Sequence, residues 1–256
     1  GIVLVILAFL FIVSGGTVLL ASTLVISCIG MFELYRIYKV ECSPIAFAGY
    51  LAAVLFYANL KWNFIPDILM LVLGFLIVLM FLYVFSYPKY KADQIMAVFF
   101  GMFYVAAMLS YVYQIRMLDR GLYLAFLVFF CSWGCDTCAY CVGMLIGKHK
   151  MSPKLSPKKS IEGCICGTVG ALICILIYTY IANKYWGMNY SYLLISIIGI
   201  ILSIVGQMGD FAASSIKRTV DIKDFSNLIP GHGGMLDRID SLIFLAPFAY
   251  ALFNLL

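Results

Sequence analysis

Charge is what this sequence has little of. Asp, Glu, Lys and Arg together make up 11% of its 256 residues, where an ordinary soluble domain carries about 25%. The first half is poorer still in acids, holding only Glu33, Glu41, Asp67, Asp93 and Asp119, all near the ends of apolar segments. So little polar surface cannot coat a water-soluble globule, which excludes a soluble enzyme or binding domain. The net charge of +5 is modest, and no nucleic-acid partner is expected. An initiator methionine is also missing. The chain opens at Gly1 directly into an apolar stretch and reads as lacking a short N-terminus. A cleavable signal peptide is the other reading, disfavoured because Gly15-Gly16 leads into a second apolar run with no polar spacer.

What is there is apolar. Hydrophobic residues make up 64% of the chain, with 20 Phe and 18 Tyr, and the mean hydropathy is +1.05. Runs of about 20 apolar residues read as membrane-spanning helices, and in lipid an open strand edge would leave backbone groups unpaired. Segments at roughly 2–13, 16–34, 45–58, 64–86, 94–113, 121–147, 163–183, 190–209 and 239–255 predict an all-α, polytopic bundle of about nine transmembrane helices. With nine spans, 13 Lys and Arg fall on one side of the membrane and 4 on the other. That asymmetry puts the basic loops in the cytoplasm. Residues 1–115 read as a structural set of helices. Residues 116–256 read as the catalytic region, with cytoplasmic loops at 148–162 and 215–238.

Nine cysteines do not by number imply disulfides. Cys131, Cys135, Cys138 and Cys141 have a spacing superficially like that of iron–sulfur ligands. On a helix they fall along one stripe, and a straight helix cannot wrap four thiolates around one cluster. They are read as small packing residues.

The chemistry gathers in the second half, with seven acids and both histidines, His149 and His232. Asp136 sits inside an apolar run and Asp210 closes another, and ionisable residues at membrane depth are costly and usually functional. The stretch from Ser215 to Asp240 combines Lys217, Arg218, Lys223 and Arg238 with a Pro230-Gly231-His232-Gly233-Gly234 turn and with Asp221, Asp224, Asp237 and Asp240. Basic groups neutralise phosphate oxygens. Glycines let backbone N–H groups approach an anion, and carboxylates hold Mg2+ beside a substrate phosphate. A turn alone would explain the glycines but not the charges around them.

This stretch resembles the signature of the phosphatidate cytidylyltransferases: Ser215-apolar-Lys217-Arg218-x4-Lys223-Asp224, then Pro230-x-His232-Gly233-Gly234-apolar-x-Asp237-Arg238-apolar-Asp240. A second block, Asp136-x3-Tyr140-x2-Gly143-x3-Gly147-Lys148 followed by Ser156-Pro157-Lys158-Lys159-Ser160-x-Glu162-Gly163, is similar to the same family's upstream motif. One departure is visible: members often carry Glu two residues before the signature Ser, and here Ala213 stands there.

The resemblance implies transfer of a cytidylyl group from CTP to phosphatidate, with Mg2+ as cofactor and room for a second cation. It implies membrane lipid as the environment, the bacterial inner membrane as the location, and an active site on the cytoplasmic face; a homodimer is compatible with it. Asp210, Asp237, Lys217, Arg218, Lys223, Asp224, His232 and Arg238 are then the catalytic candidates. Asp136, Lys148, Lys158, Lys159, Ser160, Glu162, Ser215, Pro230, Gly231, Gly233 and Gly234 are the substrate-binding candidates, with Glu162 paired to one of the nearby lysines. Asp210 and Asp237, with Asp240, are the metal candidates, Asp210 and Asp237 each at a helix end. A CDP-archaeol synthase-like enzyme or a polyprenol-lipid transferase would keep the same chemistry on another lipid. A transporter is the reading from another class, and the lack of an internal repeat between the halves counts against it.

Overall fold

The computed structural model describes residues 2–228 and 233–254, so the Pro230, Gly231 and His232 expectations lie outside the described residues. The helices run in order α1 (Ile2–Ser14), α2 (Gly16–Ile37), α3 (Pro44–Trp62), α4 (Ile68–Phe85), α5 (Ala92–Gly101), α6 (Met108–Met117), α7 (Gly121–Ile146), α8 (Ile161–Trp186), α9 (Tyr192–Thr219) and α10 (Leu236–Phe253). A π-helical turn, Met102–Ala107, joins α5 to α6 without a break, and between α7 and α8 lies a hairpin of β1 (Lys150–Ser152) and β2 (Ser156–Ser160). The hairpin is antiparallel, pairing Lys150 with Ser160 and Ser152 with Ser156.

The protein is an all-α, polytopic membrane protein. Among the described residues, seven helices are long and apolar enough to cross a membrane: α2, α3, α4, the continuous Ala92–Met117, α7, α8 and α9. Large apolar side chains face outward along them, such as Phe85 at 82% and Leu145 at 83% exposure, which is the pattern of a surface solvated by lipid. Each of the nine expected segments falls on a helix, but the count of nine spans is not confirmed. The 13 residues of α1 cover about 20 Å of a hydrocarbon core that is about 30 Å thick. Helix α10 carries Asp237, Arg238 and Asp240 at its start.

A second difference concerns α9. The expected segment ended at 209, and 215–238 was expected as loop, yet the helix continues to Thr219. Hydropathy falls from Gln207 onward because the residues become small and polar, while the backbone keeps its helical bonds. Asp210 is therefore inside α9 rather than at its end, and Ser215, Lys217 and Arg218 ride on its last turns.

The chain folds as two compact units: Gly1–Tyr113 with Asp224–Arg238, and Gln114–Lys223 with Ile239–Leu256. In the first, two buried tyrosines satisfy their hydroxyls against backbone. Tyr35 donates to the Val98 carbonyl at 2.9 Å, and Tyr57 donates to Ala106 in the π turn at 3.2 Å. In the second, α7 and α8 pack through small residues, as membrane helices commonly do. A Cβ added at Gly167 would meet the Ala139 methyl and the Cys135 carbonyl, each at 2.9 Å. Cys131 and Cys135 are buried in this packing, while Cys138 is half-buried and Cys141 exposed. Among the described residues no group of three or more His, Cys, Asp or Glu side chains converges closely enough to hold a metal ion.

Candidate active site

In the second unit the site begins with two glycines. Gly206 and Gly209 lie on the face of α9 that meets α10. A Cβ at Gly209 would stand 2.8 Å from Phe244 Cβ and 2.9 Å from the Asp240 carbonyl oxygen, and one at Gly206 would stand 3.3 Å from Leu245 Cδ1. Only the missing side chains allow the helices this close. Next in sequence, Asp210 pairs through Oδ2 with Lys159 of β2, whose ammonium also lies 4.4 Å from the centre of the Phe211 ring. Its Oδ1 accepts from the Ser214 hydroxyl at 3.4 Å.

Asp240 is buried and accepts the backbone N–H of Ser241 at 2.8 Å. The charged groups near enough to act on it are Asp210, Lys217 and Asp136, and Lys217 is itself buried. Asp136, on α7, accepts the Ser241 hydroxyl at 3.2 Å, and Ser241 also bonds the Ser132 hydroxyl at 3.0 Å. Ser132, Asp136, Ser203, Gln207 and Ser241 line a narrow crevice together with Cys131, Cys135, Gly206 and Leu245. The sequence-predicted Asp136, Asp210, Lys159, Lys217 and Asp240 are thus brought together from α7, β2, α9 and α10. A buried lysine beside the buried Asp240 lowers the cost of holding either charge away from water. Asp210 is half-buried and Asp136 exposed, and the surplus of carboxylate suits a cationic ligand.

The upstream motif folds into one knot at the hairpin. Ser160 is buried, and its hydroxyl accepts the Gly163 N–H at 3.1 Å, capping α8. Side chains at Gly143, Gly147 or Gly163 would strike that hydroxyl. The four motif positions therefore build the cap, which aims β2 and Lys159 at Asp210. Glu162 was expected to pair with a lysine. Its described partner is His149 instead, with ring Nδ1 and Oε1 2.6 Å apart and the His149 N–H donating to both oxygens at 3.2 Å. The chain doubles back at Ser160, which returns Glu162 to His149 and leaves Lys148, Lys150 and Lys154 exposed.

Asp224–Arg238 belongs to the first unit. Asp237 Oδ2 accepts the backbone N–H groups of Phe225 at 2.9 Å and Gly234 at 3.0 Å, closing the segment on itself. Gly233 has φ +82°, a left-handed conformation that favours glycine. Glu33, near the end of α2, is 2% exposed, and the sequence reading passed over it as one more acid near a segment end. Its Oε1 accepts from the Ser226 hydroxyl at 2.5 Å and the Met235 N–H at 2.8 Å, and its Oε2 accepts the Leu236 N–H at 2.7 Å. The only sequence signal for it was a lone carboxylate in a span otherwise free of acids.

A family model described as the cytidylyltransferase family matches residues 1–256. The chain belongs to the cytidylyltransferase family. It is therefore an enzyme of nucleotidyl transfer built into a membrane. It is 34% identical to the phosphatidate cytidylyltransferase of Bacillus subtilis over 99% of this chain and 95% of the relative. It is 36% identical to the phosphatidate cytidylyltransferase of Thermotoga maritima over 66% of this chain and 63% of the relative. With that of Staphylococcus saprophyticus the identity is 42% over 56% of this chain and 53% of the relative.

The remaining motif residues of this cytidylyltransferase have these surroundings. Arg218 donates from Nε to the Leu155 carbonyl at 3.3 Å and from Nη1 to the Ile222 carbonyl at 2.9 Å, tying the hairpin and the turn after α9 to one guanidinium. Ser215 donates to the Phe211 carbonyl of its own helix at 2.9 Å. Lys148, Lys223, Asp224 and Arg238 are exposed, and Gly234 is buried against Glu33. The Lys158 side chain lies outside what the structure describes.

Proposed function

We propose that this chain makes CDP-diacylglycerol and pyrophosphate from CTP and phosphatidate, at the cytoplasmic face of a bacterial inner membrane. The carrying observation is the cluster of Asp136, Asp210, Asp240 and Lys217 on apolar helices with Lys159 of the hairpin. It supplies hard oxygen donors and phosphate-binding cations at membrane depth. The names of the relatives support the same substrates.

In this reaction a phosphate oxygen of phosphatidate attacks the α-phosphorus of CTP. The bond from that phosphorus to the bridging oxygen breaks, and pyrophosphate leaves with the electron pair. The attacking group is a phosphate monoester whose second pKa is about 6, so it is already a nucleophile and needs no strong base. The barrier is alignment and the repulsion of two anions. Lys217, buried beside the carboxylates, is the cation suited to the reacting phosphates. Lys159 exchanges its partner Asp210 for the triphosphate. Lys223, Arg238 and Lys148, all exposed, draw the anionic substrates in. Asp136 and Ser241 line the crevice and are joined by a hydroxyl-to-carboxylate hydrogen bond.

Magnesium is usually bound through one or two carboxylates plus substrate phosphates, keeping several waters. Asp210 and Asp240 in one unit fit that donor set without a three-residue cage; Asp237 belongs to the other unit, where its Oδ2 accepts the Phe225 and Gly234 N–H groups. When bound there, the ion supplies charge neutralisation for the triphosphate and leaving pyrophosphate.

The test is purified protein in detergent with labelled CTP, phosphatidate and Mg2+, beside an Asp240→Asn control. Lipid-soluble label that disappears in the control supports the reaction and the cluster. CTP binding without lipid label overturns phosphatidate as the acceptor, and neither binding nor turnover overturns the cytidylyl reading.

A further inference from the structure

Glu33 stands outside everything the motifs assign, yet its carboxylate is buried and held by three hydrogen bonds. It is 2% exposed and no lysine or arginine is its described partner; three hydrogen bonds from the signature segment satisfy it instead. Two of the donors are the N–H groups of Met235 and Leu236, at the start of α10, where backbone donors have no partner within the helix. A carboxylate there also meets the positive end of the helix dipole. The third donor, the Ser226 hydroxyl, fixes the other arm of the same loop. Gly234 makes the approach feasible, because any Cβ there would lie 2.7–2.9 Å from the Glu33 carboxylate atoms.

Two carboxylates therefore share this segment. Asp237 takes the N–H groups of Phe225 and Gly234. Glu33 takes the next two N–H groups along the chain and the hydroxyl beside Phe225. Without Glu33, two backbone donors at the start of α10 lose their acceptor, and what still holds that turn to α2 is the apolar packing of Leu236 at Gly30.

We infer that Glu33 is a positioning residue for the transfer reaction: through its hold on Ser226, Met235 and Leu236 it fixes the turn that carries Asp237 and Arg238. The inference rests on the proposed cytidylyl transfer and acts through those two residues, not by contact with substrate. The sequence separations are 193, 202 and 203 residues, so the N-terminal helices belong to the catalytic machinery and are more than a lipid-facing scaffold.

The test compares wild type, Glu33→Gln and Ser226→Ala, each purified in detergent. Three things are measured: kcat and KM for CTP and for phosphatidate, Mg2+ dependence, and amide hydrogen exchange across 224–238. Gln keeps one acceptor oxygen but turns an N–H2 toward a backbone N–H. A misplacement of about 1 Å costs about 100-fold in rate. Glu33→Gln should lower kcat about 10- to 100-fold, with each KM within about threefold and the Mg2+ dependence unchanged. Its exchange should rise at Met235 and Leu236, and not in α7 or α8. Ser226→Ala, which loses one donor and keeps the helix start, should lower kcat about threefold to tenfold. If Glu33→Gln does not fold, Ser226→Ala carries the test alone. Wild-type kcat in every variant that folds overturns the inference. So does weakened Mg2+ dependence with unchanged exchange, which would make Glu33 a metal ligand. If wild type itself gives no lipid label, the function reading fails, while the exchange at Met235 and Leu236 still decides whether Glu33 holds the turn.

Discussion

Replacing Gly209 by alanine tests the helix crossing on which the Asp210–Asp240 pairing depends. The added carbon would lie 2.8 Å from Phe244 Cβ and 2.9 Å from the Asp240 carbonyl oxygen, where ordinary contact begins at 3.4 Å. Neither neighbour is the free end of a flexible side chain, so α9 and α10 must part by about half an ångström, since packed helices have no slack to absorb it. Overpacking of this kind costs about 1–3 kcal/mol. In a chain of this size that lowers the thermal midpoint by about 2–12 °C. Half of the roughly 1 Å displacement that costs about 100-fold in rate should cost about tenfold in kcat. The assay is thermal unfolding in detergent beside CTP-dependent lipid labelling. The control is Gly74→Ala on α4, where an added Cβ meets nothing within 4 Å; alanine there gains about 0.5–1 kcal/mol of helix preference. If Gly209→Ala matches Gly74→Ala in midpoint and kcat, the close crossing does not position the site and the reasoning is refuted.

Lys159→Met removes the cation paired with Asp210 and should lower kcat/KM for CTP about 10- to 100-fold, read from initial rates over a CTP series. Ser160→Ala removes the cap of α8 and should destabilise the protein by about 1 kcal/mol, seen as a lower unfolding midpoint. Chelation of divalent ions should stop labelling and added Mg2+ should restore it; turnover that persists in excess chelator would refute the role given to Asp210 and Asp240.

Much of the fold was legible because the bilayer imposes a one-dimensional code. Runs such as 64–86 and 121–147 are apolar on all sides, and a lipid-embedded segment must satisfy its backbone within itself. The helices therefore appear where hydropathy puts them. The code fails at its margins. Past Gln207 small and polar residues lower the hydropathy, yet α9 continues to Thr219 and carries Asp210 in its interior. Helix α10 begins with charges that hydropathy counts against it and carries Pro247 in its interior, yet it runs from Leu236 to Phe253. In the upstream motif, the residue types were legible and their work was not. Ser160 had the look of a phosphate ligand, and in the folded chain it is a helix cap.

Composition and motif alone determined that the protein is a helical membrane enzyme of the cytidylyltransferase family and which stretches carry its charges. These are properties of residues close together in the chain, where periodicity, hydropathy and spacing speak directly. Tertiary structure decided which charges meet. Lys159 finds Asp210 because the Ser160 cap aims the hairpin, and Asp240 lies near Asp210 because Gly209 lets two helices touch. Glu33 joins the signature segment across 202 residues to Met235. No local pattern foretells such a contact, because it is selected by the burial of one carboxylate against backbone donors that only the completed fold brings within reach.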